Sequence, residues 1–183
     1  AHGASVDAAF HGGETPLFIA AQNGHSETAK LLLAHGASLD AARNDGATPL
    51  YMAAQNGHSK TAKLLLAHGA SVDAACDEGD TPLYMAAQNG HSKTAKLLLA
   101  HGASVAAALN GGATPLIIAA EFGHDGTAKL LLAHGASVDA ACDDGETPLL
   151  MAAQGSHDET AKLLLAHGAS VDAARNDGTT PLI

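Results

Sequence analysis

Twelve histidines and two cysteines are the residues of this chain best equipped for chemistry. Metal binding comes first, because imidazole and thiolate are common zinc ligands and sit about 2 Å from the ion. The spacing argues against it. One row of histidines (His25, His58, His91, His124, His157) and another (His2, His35, His68, His101, His134, His167) each return every 33 residues. Units stacked at helix-packing distance, about 8–10 Å, hold such residues too far apart to share an ion. No HxxxH or CxxC pair occurs. The histidines read instead as turn and cap residues, and His11, outside both rows, as a possible partner contact. No metal or cofactor is expected.

Nucleophilic catalysis meets the same objection. Ser, His and Asp recur in register, as scaffold parts do, whereas a catalytic trio is one special constellation. Cys76 and Cys142 hold the same position two units apart, beside Asp77 and Asp143. Those negative charges disfavour a reactive thiolate. The Gly-Gly loops "FHGGE" and "LNGGA" lack the Lys of a phosphate loop. No enzyme activity is expected.

The elements that carry these residues are written as a period. Thr-Pro-Leu begins at Thr15, Thr48, Thr81, Thr114, Thr147 and Thr180, and holds all six prolines. The chain divides into full repeats 13–45, 46–78, 79–111, 112–144 and 145–177, with partial repeats 1–12 and 178–183. Residues 48–75 and 81–108 are the same but for Asp73 becoming Ala106. Recent duplication and design on a consensus would each write such a chain.

Within one unit, Thr15 predicts an N-cap and Pro16 the first helical position, where its missing N–H is no loss. That helix runs to about Asn23, and Gly24 supplies a left-handed stop. Leu17, Ala20 and Ala21 share one face, with Phe18, Ile19, Gln22 and Asn23 on the opposite arc. Ser26, or Asp125 and Asp158 later, caps a second helix. Its apolar stripe is Ala29, Leu32 and Leu33, with Glu27, Lys30 and Ala34 outward, and His35-Gly36 ends it. Gly126 weakens the fourth copy locally. Residues 38–47 read as a hairpin-like loop turning at Asp45-Gly46. In the fifth unit "QGSHDE" replaces "QNGHSK", leaving Ser156 where the stop glycine belongs. Two-turn helices do not survive alone, so stability must come from stacking.

Composition agrees. Hydrophobic residues are 46% of the chain, aromatics 3%, and Trp is absent, so the core is Leu and Ala in thin layers. No apolar run approaches membrane-span length and no signal pattern opens the chain. Free thiols favour a reducing, intracellular setting.

These units resemble the ankyrin repeat, with its 33 residues and Thr-Pro-Leu-His-x-Ala-Ala…Gly-His…Leu-Leu…Gly-Ala frame. The family's His after Thr-Pro-Leu is here Phe18, Tyr51, Tyr84, Ile117 and Leu150. The resemblance implies an all-α solenoid of stacked helix-turn-helix units joined by hairpin loops. It also implies a concave surface of loop tips and first helices that binds a protein partner.

Comparison of the units with one another points to the same surface. Variation falls on the loop tips, on the first helix and at the start of the second. All five aromatics sit at variable positions and none in the constant frame. The candidate partner-binding residues are therefore Phe10, Arg43, Asn44, Asp77, Asp80, Leu109, Asn110, Asp143 and Glu146 near the tips. Phe18, Tyr51, Tyr84, Ile117, Phe122 and Leu150 join them on the first helices, as outward-facing side chains. The column Ile19, Met52, Met85, Ile118 and Met151 reads as partly buried. The fourth unit, with Leu109, Ile117 and Phe122 beside Tyr84 and Leu150, is the expected hot spot, with a second around Phe10 and Phe18.

The formal net charge is −10, with acids clustered at the tips. That balance disfavours nucleic acid and favours a basic partner. A second reading is a structural spacer with no specific partner, which the close identity of units two and three favours. Open apolar faces near Leu17 and Leu32, and near Leu165 and Leu182, would allow end-to-end self-association.

Overall fold

The computed structural model describes residues 5–173. Among these residues ten helices form five hairpins: α1 (Pro16–Gln22) with α2 (Ser26–Ala34), α3 (Pro49–Gln55) with α4 (Ser59–Ala67), and α5 (Pro82–Gln88) with α6 (Ser92–Ala100). They continue as α7 (Pro115–Glu121) with α8 (Asp125–Ala133), and α9 (Pro148–Gln154) with α10 (Asp158–Ala166). Among the described residues there is no strand, and no helix long and apolar enough to cross a membrane. First helices stack on first helices and second on second, giving two parallel rows. Arg175, Asn176, Asp177, Leu182 and His2 lie outside the described residues, as does the partial repeat 178–183.

The local signals explain each first helix. Thr15 Oγ1 accepts the Phe18 N–H at 3.2 Å, and Thr48, Thr81, Thr114 and Thr147 repeat the bond. A cap of this kind contributes about 1 kcal/mol. At the far end Asn23 Nδ2 donates to Ile19 O at 2.9 Å, and Gly24 adopts φ +69°.

The second helices correct one expectation. Ser26 is the first helical residue and His25 the N-cap, without a side-chain capping bond. The reason lies in the neighbouring unit. His58 Nε2 donates to Gln22 O at 3.0 Å, His91 to Gln55 O at 3.1 Å, His124 to Gln88 O at 3.0 Å and His157 to Glu121 O at 2.9 Å. Each of these four cap histidines therefore ties its unit to the carbonyl end of the preceding first helix. The ring lies over the preceding stop glycine: a Cβ on Gly24 would stand 2.6 Å from His58 Nδ1. Asn-Gly-His thus ends a helix, turns left-handed and clears room for the next unit's ring. Ser156 takes the same left-handed position at φ +55°. The other row caps the C-termini: His35 Nδ1 donates to Leu31 O at 2.8 Å, and Gly36 follows at φ +82°. Despite Gly126, α8 keeps the nine residues of its counterparts.

A second tie runs along the loops. Asp7 accepts from the Ser38 N–H and hydroxyl, and Asp40 from those of Ser71, with the hydroxyl at 2.7 Å. Asp73 accepts the Ser104 N–H at 3.1 Å and Asp139 the Ser170 N–H at 2.9 Å. Ala106 breaks this series opposite Ser137.

Leu17, Leu50, Leu83 and Leu116 are fully enclosed in the first-helix row. Burial of one such side chain is worth roughly 1.5–3 kcal/mol. Leu17 is thus not an open end face as expected; Leu31, 63% exposed, and Leu165, 46% exposed, are the bare leucines of the two terminal hairpins. The second-helix row also buries Thr61, Thr94, Thr127 and Thr160. Thr127 shares a hydrogen bond with Ser92 Oγ at 3.0 Å, and Thr160 donates to Asp125. The Thr61 and Thr94 hydroxyls are enclosed without a partner.

Candidate partner-binding face

The loop tips are built the same way five times. In the tip from Arg43 to Ala47, the Arg43 N–H donates to Ala47 O and the Gly46 N–H returns to Arg43 O, both at 2.9 Å. Gly46 takes φ +82°, and a Cβ there would meet the next tip at 3.0–3.1 Å, at Asp77 and Cys76. Three pairs of successive tips are joined by backbone: Asn44 N–H to Gly12 O at 2.9 Å, Asp77 N–H to Asp45 O at 2.9 Å and Asp143 N–H to Gly111 O at 3.0 Å. The variable tip side chains therefore stand in a row whose spacing the main chain sets.

Phe10, 73% exposed, opens that row, followed by exposed Asn44, Asp77, Asn110 and Asp143. Arg43 is half-buried. Its guanidinium lies 5.4 Å from the Phe18 ring centroid and forms an ion pair with Asp45. The Asp45 carboxyl is held below its usual range, first by that hydrogen bond. Cys76 Sγ donates to Asp80 at 3.7 Å and Cys142 Sγ to Glu146 at 3.8 Å, and all four are half-buried. Leu109 is half-buried against the core. Phe122, 47% exposed, stacks on His124 with centroids 6.2 Å apart.

The first-helix column departs from expectation. Phe18, Tyr51, Tyr84, Ile117 and Leu150 do not face outward; all five are buried, Phe18 completely. Three of the five aromatics are thus core residues. A first helix has neighbours on both sides and a tip folded over it, so the arc opposite Leu17 is covered too. Phe18 lies beneath Arg43, and Tyr51 beside Cys76 of the following tip. Burial pushes the Tyr51 phenol above its usual range, with Cys76 and Asp80 adding to it. The neighbouring column is buried at Met52, Met85, Ile118 and Met151, and half-buried at Ile19. Of the expected hot spot, only Leu109 and Phe122 reach the surface.

Stacked helical hairpins with bonded tips now stand beside a match to known families. A family model described as ankyrin repeats (3 copies) matches residues 2–76, 72–142 and 138–183. This chain is an ankyrin-repeat protein. Comparison with curated proteins finds no match. Ankyrin repeats are in general protein–protein interaction modules and generally non-catalytic. In this ankyrin array the exposed variable residues include those of the tips, the starts of the second helices and Phe122, and no group of three or more His, Cys, Asp or Glu gathers for a metal among the described residues.

Proposed function

We propose that this ankyrin array is a non-catalytic module that binds a protein partner along its tip row. The reading is supported by one observation above the rest. Side chains that differ from unit to unit and remain exposed stand on tips of one backbone pattern, and three pairs of successive tips are joined by main-chain hydrogen bonds. A surface fixed in spacing and free in side chain suits recognition. Phe10 and Phe122 supply exposed aromatic area of the kind that anchors interfaces. Tip carboxylates at Asp77, Asp80, Asp143 and Glu146 favour a partner with a basic surface. Phe18, Tyr51, Tyr84, Ile117 and Leu150 contribute by packing beneath the tips.

The spacer reading draws on the near identity of residues 48–75 and 81–108. Capture from a lysate separates the two. The parent chain is compared with a Phe10→Ser, Asn44→Ala, Phe122→Gln variant, both verified as folded by circular dichroism. A protein held by the parent and lost by the variant supports recognition by the tips. Equal capture by both, or none by either, favours the spacer.

A further inference from the structure

Among the described residues no hairpin precedes α1 and α2 and none follows α9 and α10, and the two end faces so left are the two halves of the array's own inner joints. On the first face Thr28 is exposed and Leu32 half-buried, whereas Thr61, Thr94, Leu65 and Leu98, at the same positions of the next two units, are fully enclosed. The letters are the same, and what differs is a preceding hairpin. On the last face Ala153 is exposed and Ala161 half-buried, whereas Ala21, Ala54, Ala29 and Ala62 are fully enclosed beneath a following hairpin. The bare leucines Leu31 and Leu165 stand one on each face.

Both faces are grooved and apolar. Val6, Leu31 and Leu32 line a groove of about 690 Å³ on the first, with a second of about 330 Å³ beside Phe10, Ile19 and His25. Ala152, Ala161, Leu165 and Val171 line one of about 310 Å³ on the last. The His25 ring makes no hydrogen bond among the described residues, although its four counterparts each reach a preceding carbonyl.

We propose that the first face receives the last face of a second copy of this chain, head to tail. The occupant follows from continuity with the stack: four inner joints already pair these two faces with the same core letters. The loop after α10 then takes the place that residues 5–9 hold, since Asp40 in the loop after α2 clamps Ser71 as Asp7 clamps Ser38. Residues 1–9 and 166–174 carry identical letters, so one segment replaces the other without a new kind of contact. The joint differs from the inner ones at Ser156. A Cβ on the stop glycines Gly24, Gly57, Gly90 or Gly123 falls 2.4–2.6 Å from the next unit's histidine ring, and Ser156 carries that Cβ in the same left-handed turn. His25 must swing aside there, and the joint forgoes the tie. Docking leaves the tip row uncovered, so the proposal stands apart from the partner reading.

The test is sedimentation equilibrium of the whole chain over about 5–500 μM, with Leu31→Asp and Leu165→Asp as face-blocking variants. Both leucines are exposed, and circular dichroism verifies that the variants are folded. The parent's mean mass should rise with concentration past that of a dimer, because a head-to-tail contact does not close. Each variant alone should stay monomeric, its association weakened at least about tenfold by a carboxylate set into an apolar joint. Mixed in equal amounts they should form a dimer and stop, the intact first face of Leu165→Asp receiving the intact last face of Leu31→Asp. Ser156→Gly should tighten the parent's association several-fold by readmitting the His25 tie. A parent that stays monomeric, a dimer of either variant alone (like faces pairing), a mixture that stays monomeric, or no tightening in Ser156→Gly would overturn the proposal.

Discussion

Replacing Ala106 with aspartate should make this protein more stable. Four aspartates at that position, Asp7, Asp40, Asp73 and Asp139, accept the backbone N–H of the serine 31 residues on. At Ser38 and Ser71 the hydroxyl joins in. Ser137 faces Ala106 with the same flanking sequence, so the donors exist and only the acceptor is missing. A carboxylate accepting an orphan N–H resembles a helix N-cap, worth about 0.5–2 kcal/mol. Solvent exposure of the clamp puts the gain toward the lower half, about 1 kcal/mol. For a chain of this size that corresponds to roughly 2–4 °C in melting temperature.

Melting Ala106→Asp alone, Ser137→Ala alone and the double variant measures the coupling. Hydrogen exchange at the Ser137 amide reports the bond directly, which matters because repeat arrays do not always unfold in two states. The reasoning is refuted if Ala106→Asp leaves both the melting temperature and Ser137 protection unchanged. It also fails if the gain persists at full size in the double variant with the Ser137 amide still unprotected. Asp73→Ala supplies the mirror image, with an equal loss and faster exchange at Ser104.

Other outcomes follow from the same geometry. Gly57→Ala should destabilise more than Gly69→Ala in thermal melts: both pay left-handed strain of about 1–2 kcal/mol, but only at Gly57 does a Cβ fall 2.6 Å from the His91 ring, with open space at Gly69. Phe18→Ala should cost about 3–5 kcal/mol by denaturant titration, whereas Phe10→Ser should stay within about 0.5 kcal/mol; a reversed order would contradict the burial of the first-helix column. Thr61→Val should be neutral or stabilising, since it removes an enclosed hydroxyl without a partner, and Thr127→Val should lower the melting temperature by breaking the bond to Ser92. Asp7 and Asp45 are held below the usual carboxylate range, first by the Ser38 and Arg43 hydrogen bonds respectively. Their contribution is present above about pH 4 and is lost as pH falls through the lowered values; melts from neutral to acid pH should show a shallower acid slope in Asp7→Asn.

The tip row and the helix ends were legible in sequence because their causes are local. Thr-Pro at a helix start, Asn-Gly at its end and Asp-Gly at a turn act through their own backbone, and a 33-residue recurrence repeats them unchanged. The clamp and the histidine ties were present as spacings of 31 and 36 residues, but a spacing alone does not say that two side chains meet.

The Phe18 column shows where sequence stopped. Its aromatic and aliphatic letters vary, and variation on the far arc of a single amphipathic helix reads as surface. In the stack that arc is closed by neighbouring helices and by the next tip, so Phe18 packs under Arg43 and Tyr51 beside Cys76. Which residues are caps, turns and repeats is a property of a few consecutive backbone units, and the sequence determined it. Which side chains are left for a partner depends on what each unit's neighbours cover, and only the tertiary structure decided that.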